Sequence, residues 1–294
     1  MRLAEGEEKP GDFFLSRKET DMKIGDRVFD VEHETYIMGI LNVTPDSFSD
    51  GGRWNDRDKA LKHALEMARE GAAVLDIGGE STRPGHQKIS EEEEIARTAP
   101  VIEAVKRETG LPVSVDTYKA KVAEAAIQAG ADLVNDIWGL KYDPRMAGLI
   151  ARTGTACCLM HNKEKAEYGN FYEDMLRETA GCVKIAKEAG IRDDKIILDP
   201  GIGFGKTYEM NLETLHFMER FHSLGYPLLL GTSRKSVIGL TLDLPADQRE
   251  EGTLVTTVMA VMKGYAFVRV HDVKANLRAV RMAKAILDAG GIKE

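Results

Sequence analysis

Polar and ionisable side chains recur along this chain where short apolar runs end. Eight runs end in this way, at Asn42, Glu80, Asp116, Asn135, His161, Asp199, Lys235 and the Arg269/His271 pair. Carboxylate and amide oxygens can accept hydrogen bonds from the amino and ring N–H groups of a flat heterocycle, whereas Lys, Arg and His can bind an anion. The set therefore indicates a small-molecule site that binds a heterocycle and an anionic group together.

The heterocycle-binding candidates are two carboxylates and one amide. Asp116 and Asp199 end the third and sixth runs, and Asn135 lies at the end of the fourth. The alternative is that an aspartate caps the helix that follows it, and Asp116, which precedes Lys119, suits that role. A pair of caps explains the pattern less well than a pair of ligand-binding carboxylates.

Cationic side chains mark the last two runs. The segment 231–236 (GTSRKS) follows the seventh run, where barrel enzymes often bind an anion, and Lys235 is its expected working charge. Arg269 and His271 are two residues apart, so both face the same side of a strand. Alternatively, Lys235 is a solvated surface lysine, and Arg269 and His271 have structural roles.

Two long polar loops follow the first and second runs. They are residues 42–52 (NVTPDSFSDGG) and 76–85 (DIGGESTRPG), and both contain glycine and proline. Loops of this length at strand ends are often lids, and two adjacent lids could exclude water from a reactive intermediate. An ordinary turn followed by a helix N-cap is the alternative for the first loop.

Residues 199–207 (DPGIGFGKT) look like a nucleotide-binding motif but lack its spacing. A P-loop requires glycine five residues before Gly-Lys-Thr, where this chain has Pro200, and the dinucleotide G-x-G-x-x-G spacing is also absent. The glycines instead allow the backbone to approach a ligand closely, and Phe204 offers a ring that packs on it.

Other catalytic chemistries have less support. No H-x-H, H-E-x-x-H or C-x-x-C motif accompanies His161, so we expect a structural or supporting role for it rather than zinc binding. Ser233 and Ser236 lie outside any G-x-S-x-G motif, which argues against acyl-enzyme chemistry. Cys157 and Cys158 lie within an apolar run and are expected in the core.

The elements that position these residues follow from the apolar runs. Each run is nearly continuous, which is typical of parallel strands covered on both faces, and helical segments with glycine at their ends separate the runs. This alternation predicts an α/β protein with a (β/α)₈ barrel, whose active site forms at the C-terminal ends of the strands. Residues 23–34 predict a short N-terminal hairpin that closes the barrel bottom, and residues 1–21 a flexible extension. Candidate strands span residues 36–41, 73–77, 112–115, 132–137, 155–160, 195–198, 227–230 and 267–270.

Composition narrows the class of partner. The formal charge of −8, from 40 basic and 48 acidic residues, is a poor match to nucleic acid. Three cysteines form no C-x-x-C pair, which favours a reducing cytoplasm over a disulfide scaffold. No apolar run approaches the roughly 20 residues that cross a bilayer, so we expect no membrane association.

Taken together, eight blocks resemble the dihydropteroate synthases, a family of pterin-binding barrels. The blocks are NVTPDSFSDGG, DIGGESTRPG, SVDT (114–117), NDI (135–137), LMH (159–161), DPGIGFGK, TSRKS and RVHDV (269–273), and they occur in the family's order. The resemblance implies one pterin-binding barrel domain over residues 22–294. It also implies condensation of (7,8-dihydropterin-6-yl)methyl diphosphate with 4-aminobenzoate, use of Mg²⁺, inhibition by sulfonamides and a homodimer formed through the last helices.

The resemblance also implies roles for individual residues. The catalytic set is Asp116, Lys235, Asn42, Arg269 and His271. The pterin would be held by Asp116, Asn135, Asp199 and Lys235, with Ile137 and Met160 packed beside it. The diphosphate would be held by Asn42, Arg269 and His271, with Mg²⁺ near Asn42. The 4-aminobenzoate site would comprise Phe48, Thr82, Arg83, Pro84, Phe204, Lys235 and Ser236.

The chain departs from the family pattern at residues 162–169 (NKEKAEYG), which replace a shorter stretch and leave the shape of that loop open. Two other functions also remain open: a methyltetrahydrofolate methyltransferase of similar fold, and a non-catalytic pterin-binding paralogue. The cationic blocks TSRKS and RVHDV favour the synthase over both, and the absence of paired histidines on the first strand disfavours a metal-dependent hydrolase.

Overall fold

Parallel strands alternate with helices along the chain and close into a barrel. The computed structural model describes residues 21–44, 53–81 and 88–289. Within them the barrel strands are β3 (Tyr36–Asn42), β4 (Val74–Gly78), β5 (Val113–Asp116), β6 (Leu133–Asp136), β7 (Ala156–Met160), β8 (Ile196–Asp199), β9 (Leu229–Leu230) and β10 (Phe267–Val270). Their order is β8-β7-β6-β5-β4-β3-β10-β9, and a parallel bridge between Leu198 and Leu228 joins the two ends. The predicted (β/α)₈ barrel is confirmed.

Two short antiparallel strands precede the barrel and cover its bottom. They are β1 (Asp21–Ile24) and β2 (Arg27–Asp30), joined by a turn in which Gly25 has the left-handed φ of 58°. Phe29 of this hairpin packs in a buried cluster with the inward-facing Phe267 of β10. The predicted hairpin is confirmed, and its first strand begins at Asp21, the last residue of the predicted extension.

Helices cover the outside of the barrel. They are α1 (Arg53–Glu70), α2 (Glu91–Thr109), α3 (Ala120–Gln128), α4 (Met146–Thr153), α5 (Phe171–Glu188), α6 (Tyr208–His216), α7 (Ser236–Leu242), α8 (Glu250–Met262) and α9 (Val273–Ala289). In α2, Ser90 caps the N-terminus, where its Oγ accepts from the Glu93 N–H, and Gly110 ends the helix with a left-handed φ of 65°. None of the described helices is both long and apolar enough to cross a bilayer.

The apolar core has layers that explain where the site lies. One cluster fills the space between strands and helices, and a second fills the bottom of the barrel with side chains such as Met38, Leu133 and Phe267. Above that second layer, the inward positions of the strands carry polar and charged residues instead. The barrel interior therefore changes from apolar to polar towards the C-terminal ends of its strands, as expected for this fold.

Candidate active site

The predicted heterocycle-binding residues lie together at the C-terminal end of the barrel. Asp116 on β5 is in register with Asn135 on β6 and with Gly78 on β4, and Asp199 ends β8. Asp116, Asn135 and Asp199 are all buried. Gly78 and Gly231 face the same opening, and the absence of side chains there leaves room between the charged groups.

Arg269 joins two of the carboxylates. Its Nε donates to Asp76 Oδ2 at 2.5 Å and its Nη2 donates to Asp116 Oδ2 at 2.6 Å. Asn135 Nδ2 donates to the same Asp76 oxygen at 3.3 Å. The buried bridge Asp76–Arg269–Asp116 therefore ties β4, β5 and β10 together at the level of the site.

Burial and charge oppose each other in this bridge. Burial disfavours the guanidinium charge, but the carboxylates of Asp76 and Asp116 more than offset it and raise the pKa of Arg269. Burial raises the pKa of Asp116 to about 7; Arg269 lowers it and the neighbouring charge of Asp76 raises it. Burial thus makes the charged form of Asp116 less favourable than in water, and perturbed carboxylates of this kind are typical of functional sites.

Asp76 is a site residue that the sequence predictions missed. It is fully buried on β4, within the apolar run 73–77 and at the point where the second polar segment, 76–85, begins. Its charge inside that run was the available signal, since a buried carboxylate requires a partner. Asp76 Oδ1, Ser114 Oγ and Asp116 Oδ1 are buried oxygens without a hydrogen-bond partner among the described residues. Buried orphan acceptors are costly, which makes these oxygens candidates for binding ligand N–H groups.

Lys235 lies near Asp199 and Arg269: a Cβ added to Gly231 would be 3.9 Å from Lys235 Nζ, 3.5 Å from Asp199 Oδ2 and 3.9 Å from Arg269 Cβ. Its Nζ donates to the Ile202 carbonyl at 2.5 Å and lies 4.7 Å from the centroid of the Phe204 ring. Burial lowers the pKa of Lys235 to about 8, although Asp199 acts in the other direction. Asp199 Oδ1 accepts from the Gly201 N–H at 2.7 Å, and burial raises its pKa.

His271 is linked to the loop that carries Lys235. The Ser233 hydroxyl and His271 Nδ1 are 2.9 Å apart, and the same hydroxyl accepts from the His271 N–H at 3.2 Å. Ser236, the first residue of α7, is exposed. His271 follows the last residue of β10, Val270, and its contact with Ser233 differs from the contacts of Arg269 with Asp76 and Asp116.

An apolar wall completes the opening. Ile137 and Met160 are buried and form a cluster with Tyr118, against which Trp138 and Phe204 pack. A flat ring could lie against this wall while its edge faces the carboxylates.

Asn42 ends β3 and lies across from Gly78: a Cβ added to that glycine would be 3.5 Å from Asn42 Oδ1. In the described ranges, no three His, Cys, Asp or Glu side chains form a group that could hold a metal ion. The other four predicted site residues, Phe48, Thr82, Arg83 and Pro84, lie outside the residues that the structure describes.

Comparison with known proteins places this arrangement in a family. The family model "Pterin binding enzyme" matches residues 38–271. A dihydropteroate synthase of Clostridium beijerinckii is 59% identical over 267 residues, which are 90% of this chain and 99% of that protein. The chain belongs to the dihydropteroate synthase family of pterin-binding enzymes. Its members are transferases of folate biosynthesis.

Solved structures of the family have the same fold. Dihydropteroate synthase from Clostridium difficile, in the presence of pteroic acid, superposes with a TM-score of 0.86 at 49% identity, over 88% of this chain and 98% of that one. The Yersinia pestis enzyme in a sulfonamide drug complex superposes with a TM-score of 0.85 at 40% identity, over 92% and 99%. The family resemblance seen in the eight sequence blocks is therefore confirmed over nearly the whole barrel.

Proposed function

We propose that this protein joins (7,8-dihydropterin-6-yl)methyl diphosphate to 4-aminobenzoate and releases pyrophosphate, by a dissociative (SN1-like) substitution. The observation that carries the proposal is the buried Asp76–Arg269–Asp116 bridge, which places unpartnered carboxylate oxygens and a permanent cation in one opening. A heterocycle that carries a diphosphate requires both kinds of group close together.

The pterin is held by the buried polar side chains. Asp116, Asn135 and Asp199 present acceptors to its amino and ring N–H groups, and Lys235 donates to an acceptor on the ring. Ile137 and Met160 pack beside it, which their burial in the apolar wall supports.

The diphosphate is held by Arg269, His271 and Asn42. Mg²⁺ is commonly bound by one or two protein oxygens together with substrate phosphates. Asn42 supplies such an oxygen at the end of β3, and the missing side chain of Gly78 leaves space beside it, so the residues present fit a magnesium ion. When bound, Mg²⁺ would screen the charge of the diphosphate.

Asp116 is the residue on which the chemistry depends most. The bond between the methylene carbon and the bridging oxygen breaks first, and the pterin ring stabilises the methylene cation that remains. The Asp116 carboxylate faces this cation, and preorganised charge opposite developing charge is usually the largest catalytic contribution. The nitrogen of 4-aminobenzoate then attacks the methylene carbon and loses a proton.

The second substrate binds at the outer part of the opening. Phe204, Lys235 and Ser236 form its described side, and Phe48, Thr82, Arg83 and Pro84 form the other. Because sulfonamides resemble 4-aminobenzoate, they compete for this position, in agreement with the sulfonamide complex of the Yersinia pestis relative.

The protein also forms a homodimer through α8 and α9. These helices pack on each other and expose apolar side chains, among them Val255, Met262, Met282 and Ile286, which are 50–62% exposed. Large apolar side chains grouped on one face are typical of an interface. Light scattering should give about twice the chain mass of 32.5 kDa.

We place the enzyme in the reducing cytoplasm, which suits its three free, buried cysteines.

Product identification tests the function against its rivals. Purified protein is incubated with Mg²⁺, the pterin diphosphate and 4-aminobenzoate, and in parallel with methyltetrahydrofolate and a thiol methyl acceptor. Dihydropteroate detected by mass spectrometry in the first reaction supports the synthase. Methyl transfer in the second reaction alone, or binding without turnover in both, rejects it.

A further inference from the structure

The loop after β8 lies directly on the segment after β7. We call residues 200–205 the glycine loop, and Gly201, Gly203 and Gly205 within it all adopt left-handed φ values, of 71°, 85° and 56°. A Cβ on Gly201 would lie 1.9 Å from the His161 carbonyl oxygen, and one on Gly205 would lie 2.5 Å from that of Lys163. Only glycine fits both the dihedral angles and this close backbone contact.

Lys206 holds the glycine loop from inside. Its Nζ donates to the carbonyls of Gly201 and Phe204, at 2.9 and 3.1 Å, and lies 3.0 Å from His161 Nδ1. His161 is fully buried, and its Nε2 lies 3.0 Å from Glu178 Oε2. Because the Glu178 carboxylate can only accept, His161 donates through Nε2, and its neutral ring accepts from Lys206 through Nδ1. Burial lowers the pKa of Lys206 to about 7, although Asp199 acts in the other direction. Burial lowers the pKa of His161 to about 2, which keeps the ring neutral.

Tyr168 holds the same loop from outside. Its hydroxyl donates to the Gly205 carbonyl at 2.7 Å. The ring is itself fixed, because Lys163 Nζ lies 4.2 Å from its centroid and Phe171 packs edge-on against it at 4.9 Å. Tyr168 belongs to residues 162–169, the segment where this chain departs from the family's usual pattern.

The glycine loop in turn contacts the site. The Ile202 carbonyl accepts the hydrogen bond from Lys235, and the Phe204 ring lies beside the same ammonium group. The Gly203 N–H donates to Asn211 Oδ1 at 2.6 Å, and the Phe204 N–H donates to the Gly201 carbonyl at 3.2 Å. The loop position therefore determines where Phe204 and Lys235 meet a ligand.

We propose that Tyr168 and Lys206 are positioning residues that hold the glycine loop from its two sides, so that Phe204 and Lys235 are presented to 4-aminobenzoate. The ligand in this statement rests on the proposed function, whereas the restraint on the loop does not. Neither residue touches the reacting atoms. They restrain the loop before the second substrate binds, so binding costs less conformational entropy.

Hydrogen exchange on the full, unliganded chain tests the restraint. The variants are Tyr168→Phe and Lys206→Met, with Tyr172→Phe as the matched control. Tyr172 also donates from its hydroxyl to a backbone carbonyl at 2.7 Å, but to Phe217, away from the site. We expect the peptide that covers residues 200–206 to exchange roughly three- to tenfold faster in Tyr168→Phe, the loss of about one hydrogen bond, and faster still in Lys206→Met. Exchange there that matches Tyr172→Phe would overturn the proposal.

Steady-state kinetics tests the consequence for the substrate. Tyr168→Phe should raise the KM for 4-aminobenzoate roughly three- to tenfold and the KM for the pterin diphosphate, which Lys235 also contacts, by a smaller factor, while Tyr172→Phe changes neither. Lys206→Arg, which retains a donor cation, should recover part of what Lys206→Met loses. Equal changes in both KM values, or none, would overturn the positioning role. Absence of turnover in the unmodified protein would reject the proposed function, and the exchange experiment would still decide whether the loop is restrained.

Discussion

The Asp76–Arg269–Asp116 bridge makes the most specific prediction about the site. The change is Asp76→Asn, which keeps the shape of the side chain and removes its charge. Arg269 Nε then loses a charge-assisted partner at 2.5 Å, and Asp116 loses a neighbouring negative charge. The asparagine amide oxygen can still accept from Arg269 Nε, but the guanidinium then has one anionic partner, Asp116, instead of two.

The magnitude follows from the type of bond. A hydrogen bond to a charged group contributes about 1.5–3 kcal/mol, and since about 1.4 kcal/mol is a factor of ten, kcat/KM for the pterin diphosphate should fall roughly ten- to a hundredfold. The KM for 4-aminobenzoate should change little, because the bridge lies on the pterin side. The acid limb of the pH profile should move to lower pH, because the charge of Asp76 helps to raise the pKa of Asp116.

The assay is initial-rate kinetics with each substrate varied in turn, between pH 5.5 and 9. Asp132→Asn is the control, because Asp132 also forms a part-buried ion pair, with Lys106 at 2.6 Å, but at the N-terminal end of β6. A folded Asp76→Asn protein with an unchanged kcat/KM for the pterin diphosphate would refute the reasoning. Equal losses in Asp132→Asn would refute it as well, since they would reflect general destabilisation.

Three further changes test other parts of the site. Lys235→Ala should lose activity while circular dichroism shows a retained fold. Because burial lowers the pKa of Lys235 to about 8, the residue loses its charge above that pH. The kcat/KM of the unmodified enzyme should therefore decline above that pH, whereas that of Lys235→Arg should not. Turnover of Lys235→Ala at the normal rate would remove this residue from the site. Arg269→Ala should raise the KM for the pterin diphosphate much more than that for 4-aminobenzoate, and parallel increases would argue against its placement. Lys119→Met should lower the free energy of unfolding by about 3–5 kcal/mol, because the buried carboxylates of Glu80 and Glu94, each 2.7 Å from Lys119 Nζ, lose their cation. If denaturant titration shows an unchanged free energy of unfolding, water or a local rearrangement must satisfy these carboxylates.

Much of the fold was predictable because its signals are local. Parallel strands covered on both faces read as apolar runs, and glycines that end the predicted helical segments, such as Gly110 and Gly154, adopt left-handed φ values. Strand ends moved by one or two residues: the run 132–137 became Leu133–Asp136 because Asp132 instead pairs with Lys106 and accepts from the Val113 N–H.

Parts of the site were less predictable because they depend on register between distant segments. Asp76 faces Arg269 only when β4 and β10 both flank β3, a relation that no local pattern contains. Glu80 follows its strand as the other site residues do, yet it bonds with Lys119 and the Tyr118 hydroxyl and so supports the structure around the opening. Lys206 belongs to the block DPGIGFGK and to a segment without nucleotide-motif spacing, but neither pattern predicts its contacts with the glycine loop, which depend on the three-dimensional structure.

The most direct test of the account is a single-turnover measurement of pyrophosphate release. Purified enzyme in excess is mixed with Mg²⁺ and the pterin diphosphate, with and without 4-aminobenzoate, and pyrophosphate and dihydropteroate are quantified together. The account predicts release that is complete only with 4-aminobenzoate and is matched one to one by dihydropteroate. Tight pterin binding without release, or release with no dihydropteroate formed, would contradict it.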